Sequence, residues 1–276
     1  APQSMRSNDY GATGMAFVFT PSTDAEGHFD QNWVTLDHDQ CSASQDQTID
    51  CQQPGCICAS GQAKFRFGES VAIDGDLIAV SAPSMPDGSR LGVVSVYEKG
   101  SDDTWTLAQS FGSPPDDDVD FGEAIALSEN TLLVGAAKAG DHGKVYVYEK
   151  SDSWSGNFQQ LVYASKYEEE EIRPIGSFGS ALDLDGYFAV VGAPGEKLVY
   201  VFVRAPLNEG LRWQQLVILE IESTVAAFGT HVTIDGHDLL MTNSTFSGEH
   251  DFSYVFDICA YILAAEAPDA VKSLCR

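Results

Sequence analysis

Three groups of residues have types and spacings that could do chemistry: six cysteines, six histidines and several clustered carboxylates. Cys41, Cys51, Cys56 and Cys58 crowd one short segment, CSASQDQTIDCQQPGCIC, while Cys259 and Cys275 sit near the C-terminus. A structural zinc site would want paired C-x-x-C knuckles, and the irregular separations offer none. The even count reads instead as disulfides, with Cys259–Cys275 as the terminal pair and three pairings open for the first four. Disulfides imply an oxidising compartment, so the chain is expected in the secretory pathway, extracellular or at the cell surface. The histidines (His28, His38, His142, His231, His237, His250) show no metal spacing such as H-E-x-x-H, and no G-x-S-x-G or phosphate-binding glycine loop is present. The expectation is a protein that is not an enzyme.

The carboxylates carry a different signal. Asp116, Asp117, Asp118 and Asp120 form one run, Glu168, Glu169, Glu170 and Glu171 a second, and Glu220 with Glu222 a third. Forty-one Asp+Glu against 15 Lys+Arg give a net charge of −26, which repels nucleic acid and anionic lipid and suits basic proteins or divalent cations. No apolar run approaches the ~18 residues of a membrane helix, so no membrane insertion is expected. The opening Ala1-Pro2-Gln3 has neither a basic n-region nor an apolar h-region and reads as an already processed end. Asn243-Ser244-Thr245 fits the N-glycosylation pattern, which makes Asn243 the expected glycan site.

These residues must be positioned by something, and the positioning element is a repeat. Four stretches open on Phe-Gly: FGESVAIDGDLIAVSAP from Phe67, FGEAIALSENTLLVGAA from Phe121, FGSALDLDGYFAVVGAP from Phe178 and FGTHVTIDGHDLLMTNS from Phe228. Their steps of 54, 57 and 50 residues signal a repeat architecture. Within each, two apolar runs flank a tight-turn pair: Asp74-Gly75, Glu129-Asn130, Asp185-Gly186 and Asp235-Gly236. A third strand follows (GVVSVYEK, GKVYVYEK, LVYVFVR, FSYVFDI), then a fourth from Trp105, Phe158 and Trp213 in the first three units. Four antiparallel strands per ~50 residues make a propeller blade. A sandwich would not repeat at this period, a parallel β-helix would use shorter coils, and helical periodicity is nearly absent.

The pattern resembles the FG-GAP repeat family, which includes the propeller heads of integrin alpha subunits. The resemblance covers roughly residues 65–258 and rests on Phe67-Gly68 with Ala82-Pro83, Phe121-Gly122 with Gly135-Ala136-Ala137, and Phe178-Gly179 with Gly192-Ala193-Pro194. The fourth unit departs after Phe228-Gly229, with Met241-Thr242-Asn243 in place of the second signature. It implies an all-β propeller of four-stranded antiparallel blades, about five or a partial set, with a disulfide-rich insert. Many members hold calcium between the two signatures. Asp74-Gly75-Asp76 and Asp235-Gly236-His237-Asp238 are too short to wrap an ion that takes six to eight oxygens, so no cofactor is expected and calcium would sit elsewhere.

The expected organisation is a half-blade over 1–40, the cysteine-rich insert over 41–62, the blades over 63–258 and a disulfide-tethered end over 259–276. In the terminal segment, 260–265 could form a strand, but 264–274 reads better as a short helix. Antiparallel connectivity sends the blade-to-blade connections and the loops between second and third strands to one face, which the acidic runs make negative. The resemblance implies that related propellers use this face for ligands. Three roles follow: a module binding a protein or glycan through the acidic face, a self-associating structural subunit of an extracellular assembly, or an accessory propeller of a larger enzyme.

Overall fold

The computed structural model describes residues 16–19, 33–36, 67–83, 92–102, 104–114, 120–161, 177–207, 210–220, 227–243, 253–265 and 267–275. Blade 1 comprises β3 (Val71–Asp74), β4 (Leu77–Ala82), β5 (Val93–Lys99) and β6 (Trp105–Gly112). Blade 2 comprises β7 (Phe121–Ser128), β8 (Thr131–Ala136), β9 (Lys144–Glu149) and β10 (Gln159–Gln160), and blade 3 β11 (Ala181–Asp185), β12 (Phe188–Ala193), β13 (Leu198–Leu207) and β14 (Gly210–Glu220). Blade 4 has three strands, β15 (Phe228–Asp235), β16 (Asp238–Asn243) and β17 (Ser253–Asp257). Every sheet is antiparallel and pairs its strands in chain order, the signature of up-and-down blades. A separate sheet pairs β1 (Ala16–Phe19) with β2 (Trp33–Leu36), with Val18 opposite Val34. The four cysteines of the insert lie outside the described residues.

One backbone device opens the blades. The residue before each phenylalanine of blades 2–4 is left-handed: Asp120 (φ 60°), Ser177 (φ 57°) and Ala227 (φ 64°). The glycine after each phenylalanine has φ between 85° and 92°, a region where a side chain is strained. The reversal drives the phenylalanine inward, and Phe121, Phe178 and Phe228 are fully buried. Each ring meets an aromatic ring on the third strand of its own blade: Phe121 with Tyr146 at 5.6 Å, Phe178 with Tyr200 at 5.3 Å and Phe228 with Tyr254 at 5.8 Å.

The same step seats each blade on the one before. A Cβ on Gly135 would lie 2.0 Å from the carbonyl oxygen of Gly179, and one on Gly192 would lie 2.0 Å from that of Gly229. The Gly of each Gly-Ala pair is therefore the floor on which the next Phe-Gly backbone rests. Above this contact the core is asymmetric. Blades 1–3 face forward with small aliphatic residues: Ala79, Val94 and Val96, then Leu133, Val145 and Val147, then Val190, Val199 and Val201. The following blade answers with larger rings, such as Tyr146 and Tyr148 on blade 2 and Tyr200 and Phe202 on blade 3.

Blade 4 breaks this rule on its forward side. By register Leu240, Ser253 and Val255 occupy the positions of Val190, Val199 and Val201, yet Leu240 is 38% and Val255 73% exposed. Thr242 replaces the floor glycine, and Asp238 opposite Asp257 stands where blade 3 pairs Phe188 with Val203. A polar outer face is what a terminal repeat needs to stay soluble. At the other end the inner strand β3 keeps an apolar pattern, with Val71 and Ile73 59% and 64% exposed.

Two details differ from the sequence reading. The fourth strand of blade 2 is short: Phe158 precedes it half-exposed, and the buried ring here is Trp154, edge-on to Phe111 at 5.9 Å. After β17 the chain turns directly into helix α1 (Ile258–Ala264), so 260–265 is helix rather than strand. The Asp257 carboxylate accepts the Ala260 amide and starts the helix, which turns Ile258 and Ile262 into the core against blade 3. Pro268 interrupts before α2 (Asp269–Lys272), and Cys259–Cys275 ties the ends of this segment together.

Two substitutions test the blade step. Ala227→Gly removes a left-handed strain of roughly 1–2 kcal/mol against a glycine entropy cost of about 0.5–1 kcal/mol, for a net stabilisation of up to about 1.5 kcal/mol. Gly192→Ala drives a methyl into the Gly229 carbonyl and lowers stability by several kcal/mol. Urea midpoints at unchanged m-value would register both, in opposite directions.

Candidate functional site

Strand direction defines two faces. The chain enters each blade at Phe-Gly and turns at the far end between Asp74 and Leu77, Ser128 and Thr131, Asp185 and Phe188, and Asp235 and Asp238. It returns to the entry end before the third strand. The entry end is therefore the loop face. The described ends of the connections that carry the acidic runs, Gly112 to Phe121 and Glu220 to Phe228, belong to it. Asp116, Asp117, Asp118, Glu168, Glu169, Glu170 and Glu171 themselves lie outside the described residues, as does the side chain of Asn243, the last residue of β16.

Asp120 and Glu220 are the members of the acidic runs that are described, and Asp120 is drawn into the fold. It occupies the left-handed position before Phe121, is 7% exposed, and its carboxylate takes the Lys138 ammonium from the loop after β8. That pair ties the entry to blade 2 to the loop beside it. Glu220 closes β14 opposite Leu198.

A second polar group on this face escaped sequence reasoning. Glu196, in the loop between β12 and β13, is 4% exposed; the Tyr200 hydroxyl donates to its Oε2 at 2.7 Å, and His142 Nδ1 of the neighbouring blade stands 3.6 Å from its Oε1. The His142 carbonyl accepts the Phe178 amide at 2.9 Å, so this loop also holds the entry to blade 3. The isolated Glu and His are 54 positions apart and only the blade step joins them. A buried carboxylate needs donors, and here it finds one within its blade and a polar neighbour across the interface.

The opposite, hairpin face is stitched circumferentially. The Asp74 carboxylate accepts the Glu129 amide of the next hairpin, the Ser128 hydroxyl accepts the Gly186 amide at 3.2 Å, and the Asp185 carboxylate accepts the Gly236 amide at 2.5 Å. The Asp-Gly hairpin residues thus serve as inter-blade pins. On the inner strands Asp183 accepts from the Thr233 hydroxyl at 2.7 Å and the Ile234 amide at 2.8 Å. His237 stacks edge-on to Phe188 at 5.7 Å with Nε2 3.3 Å from the Leu274 carbonyl oxygen. It lies close to Cys259 and Cys275, but those sulfurs are bonded to each other and offer no thiolate to a metal. Asp102 is held below the usual carboxylate range by the Thr104 hydroxyl and amide, which fixes the turn before β6. Burial pushes the Tyr148 phenol up, so this ring stays neutral at ordinary pH.

Residues 57–97 and 114–148 match the FG-GAP repeat. The first two blades carry FG-GAP repeats. The FG-GAP match falls on the first two units, and the third and fourth share their left-handed entry, glycine geometry and buried phenylalanine. Among solved structures the chain is similar to a putative 6-phosphogluconolactonase from Bacteroides uniformis, at 16% identity and a TM-score of 0.46 over 69% of this chain and 53% of that one. It is also similar to Trypanosoma rangeli sialidase, at 16% identity and 0.34 over 65% and 29%, and to a protein from Lactobacillus plantarum, at 15% identity and 0.36 over 86% and 80%. The chain thus spans about half the length of the lactonase and under a third of the sialidase. No curated protein sequence matches it. Among the described residues no helix is long and apolar enough to cross a membrane.

Tyr200→Phe removes a donor from the buried Glu196 carboxylate. We expect a loss of about 1–3 kcal/mol, the cost of an under-satisfied buried group. Denaturant unfolding would show it, with the β-sheet circular dichroism of the folded protein unchanged.

Proposed function

We propose that this chain is a non-catalytic extracellular FG-GAP propeller that recognises a protein or glycan partner through its acidic loop face. The observation that carries the reading is topological. The connections holding Asp116–Asp118 and Glu168–Glu171 start and finish at one end of the blades, which supports a face of recurring negative charge. A net charge of −26 steers basic partners toward the chain. The Cys259–Cys275 bond supports an oxidising compartment. With a polylysine peptide as probe, binding should saturate and weaken as salt rises. It should fall by about tenfold or more in the Asp116→Asn, Asp117→Asn, Asp118→Asn triple variant, because those charges act together. Binding that ignores these substitutions would remove the proposal.

A second reading, a structural subunit of an extracellular assembly, is favoured by the three-stranded blade 4 and by exposed Val71 and Ile73 on β3. It expects oligomers that persist on dilution. A monomeric mass by light scattering at low concentration would exclude it.

A further inference from the structure

Blades 2, 3 and 4 show what belongs against the inner strand of a blade. Their backward-facing residues on the first strand are Ile125 and Leu127, Leu182 and Leu184, and Val232 and Ile234. Each set clusters with the first two strands of the blade before: Ile125 and Leu127 with Leu77 and Ala79, Leu184 with Ala126 and Leu133, and Ile234 with Phe188 and Val190. Ile125, Leu127 and Ile234 are 6%, 7% and 7% exposed, whereas Val71 and Ile73, their equivalents on β3, are 59% and 64% exposed. We propose that the inner edge of blade 1 is a docking site for a Phe-Gly β-hairpin, the first two strands of an FG-GAP-type unit, donated by a different chain. The inference shares with the second reading only the use of β3 as an association surface, and goes beyond it by naming a partner other than a second copy.

Hydrogen bonding points the same way. In blades 2–4 the first turn residue of the hairpin gives its amide to the blade before: Glu129 to Asp74, Gly186 to Ser128 at 3.2 Å and Gly236 to Asp185 at 2.5 Å. Gly75 is the fourth residue of this set and holds the same left-handed turn, with φ 55° against 53° at Gly186 and 61° at Gly236. Among the described residues no carboxylate or hydroxyl takes its amide. One strand position earlier, the Ile234 amide donates to Asp183 at 2.8 Å. Register pairs Ile73 with Ile78 and Asp74 with Leu77, as it pairs Ile234 with Leu239 and Asp235 with Asp238, so the Ile73 amide points to the same open edge. A partner that covered Val71 and Ile73 without acceptors would bury both amides unpaired, which selects one that carries carboxylates at those positions.

The donor's pattern is already present in the chain. Val71-Ala72-Ile73-Asp74-Gly75 repeats Val232-Thr233-Ile234-Asp235-Gly236 of blade 4, whose cover is the hairpin of β11 and β12. That hairpin brings Asp183 and Asp185 for the amides, and Phe188 and Val190 for the aliphatic pair. Blade 4 of a second copy does not fit, because Asp238 and Thr242 stand where β12 has Phe188 and Gly192. Residues 1–66 contain no Phe-Gly pair that could fold back onto the site.

The test uses the full chain and a dye-labelled peptide of residues 178–194, the cover of the Val-x-Ile strand of blade 4, read by fluorescence anisotropy at about 0.3 M salt to screen the net charge. We expect saturable binding at or below about 1 mM, because a free hairpin bears its own ordering cost, and slower hydrogen exchange at the Ile73 and Gly75 amides. Val71→Asp with Ile73→Asp should weaken binding by about tenfold or more, since it buries unpaired charge, and Asp183→Ala with Asp185→Ala in the peptide should weaken it several-fold. Val71→Thr with Ile73→Thr keeps β-branched strand formers, so the fold is retained, and should also weaken binding several-fold. The Asp116→Asn, Asp117→Asn, Asp118→Asn triple variant should bind as the parent does. The inference is overturned if the peptide does not bind at millimolar concentration or if binding survives both β3 variants. It is overturned too if the chain forms oligomers that the β3 variants dissociate, which would make a second copy the occupant and leave the second reading standing. A monomer that binds the peptide supports the inference and removes the second reading.

Discussion

The contact on which the rest depends is the seating of one glycine backbone on another. Where Gly135 meets Gly179, and Gly192 meets Gly229, the chains approach so closely that a single Cβ would collide with a carbonyl oxygen. This sets the distance and rotation between blades. It also explains why a left-handed residue is tolerated before each phenylalanine, even at Ala227, where no side-chain hydrogen bond offsets the strain by itself. The strain is local, and the burial it permits is large: each phenylalanine loses nearly all its exposure and gains a ring partner in its own blade.

From that step the polarity of the array follows. Small aliphatic forward faces receive large aromatic backward faces, so blades stack in one direction. Blade 4 keeps the aromatic backward face, with Phe228, Tyr254 and Phe256, but its forward face is interrupted by Asp238, Thr242, Ser253 and Asp257. The disulfide-closed helical segment packs Ile258, Ile262 and Val271 against blade 3, adding core to the unit that has three strands among the described residues. Among the described residues the exposed side of β3, with Val71 and Ile73, therefore differs chemically from the forward face of blade 4.

The two faces divide the electrostatics. On the loop face two described carboxylates are internal to the fold: Asp120 with Lys138, and Glu196 with Tyr200 and His142. On the hairpin face carboxylates are consumed as pins between blades, and Glu149 pairs with Arg204 of the next blade. A strong net charge thus coexists with locally paired charges, because short-range pairing governs a site while the sum governs long-range steering.

Much of this was readable from residue order alone. Phe-Gly recurring every fifty-odd positions, tight-turn pairs between apolar runs, and the spacing of third strands determined four blade units and their strand order, because period-two patterning and turn chemistry are local. The terminal disulfide was legible too, since Cys259 and Cys275 have no nearer alternatives. Tertiary structure decided what depends on contacts between units. Nothing about Glu196 or His142 in isolation marks them as neighbours; the blade rotation makes them so. Trp154, not Phe158, fills the core of blade 2, since a short β10 leaves Phe158 half-exposed against Tyr146 and Tyr148. The start of α1 at Ile258 turned on an aspartate cap and on apolar surface from blade 3, which the apolar residues of that helix cannot reveal by themselves. Local order names the elements; which side chains share a site is set by the angle at which those elements are packed.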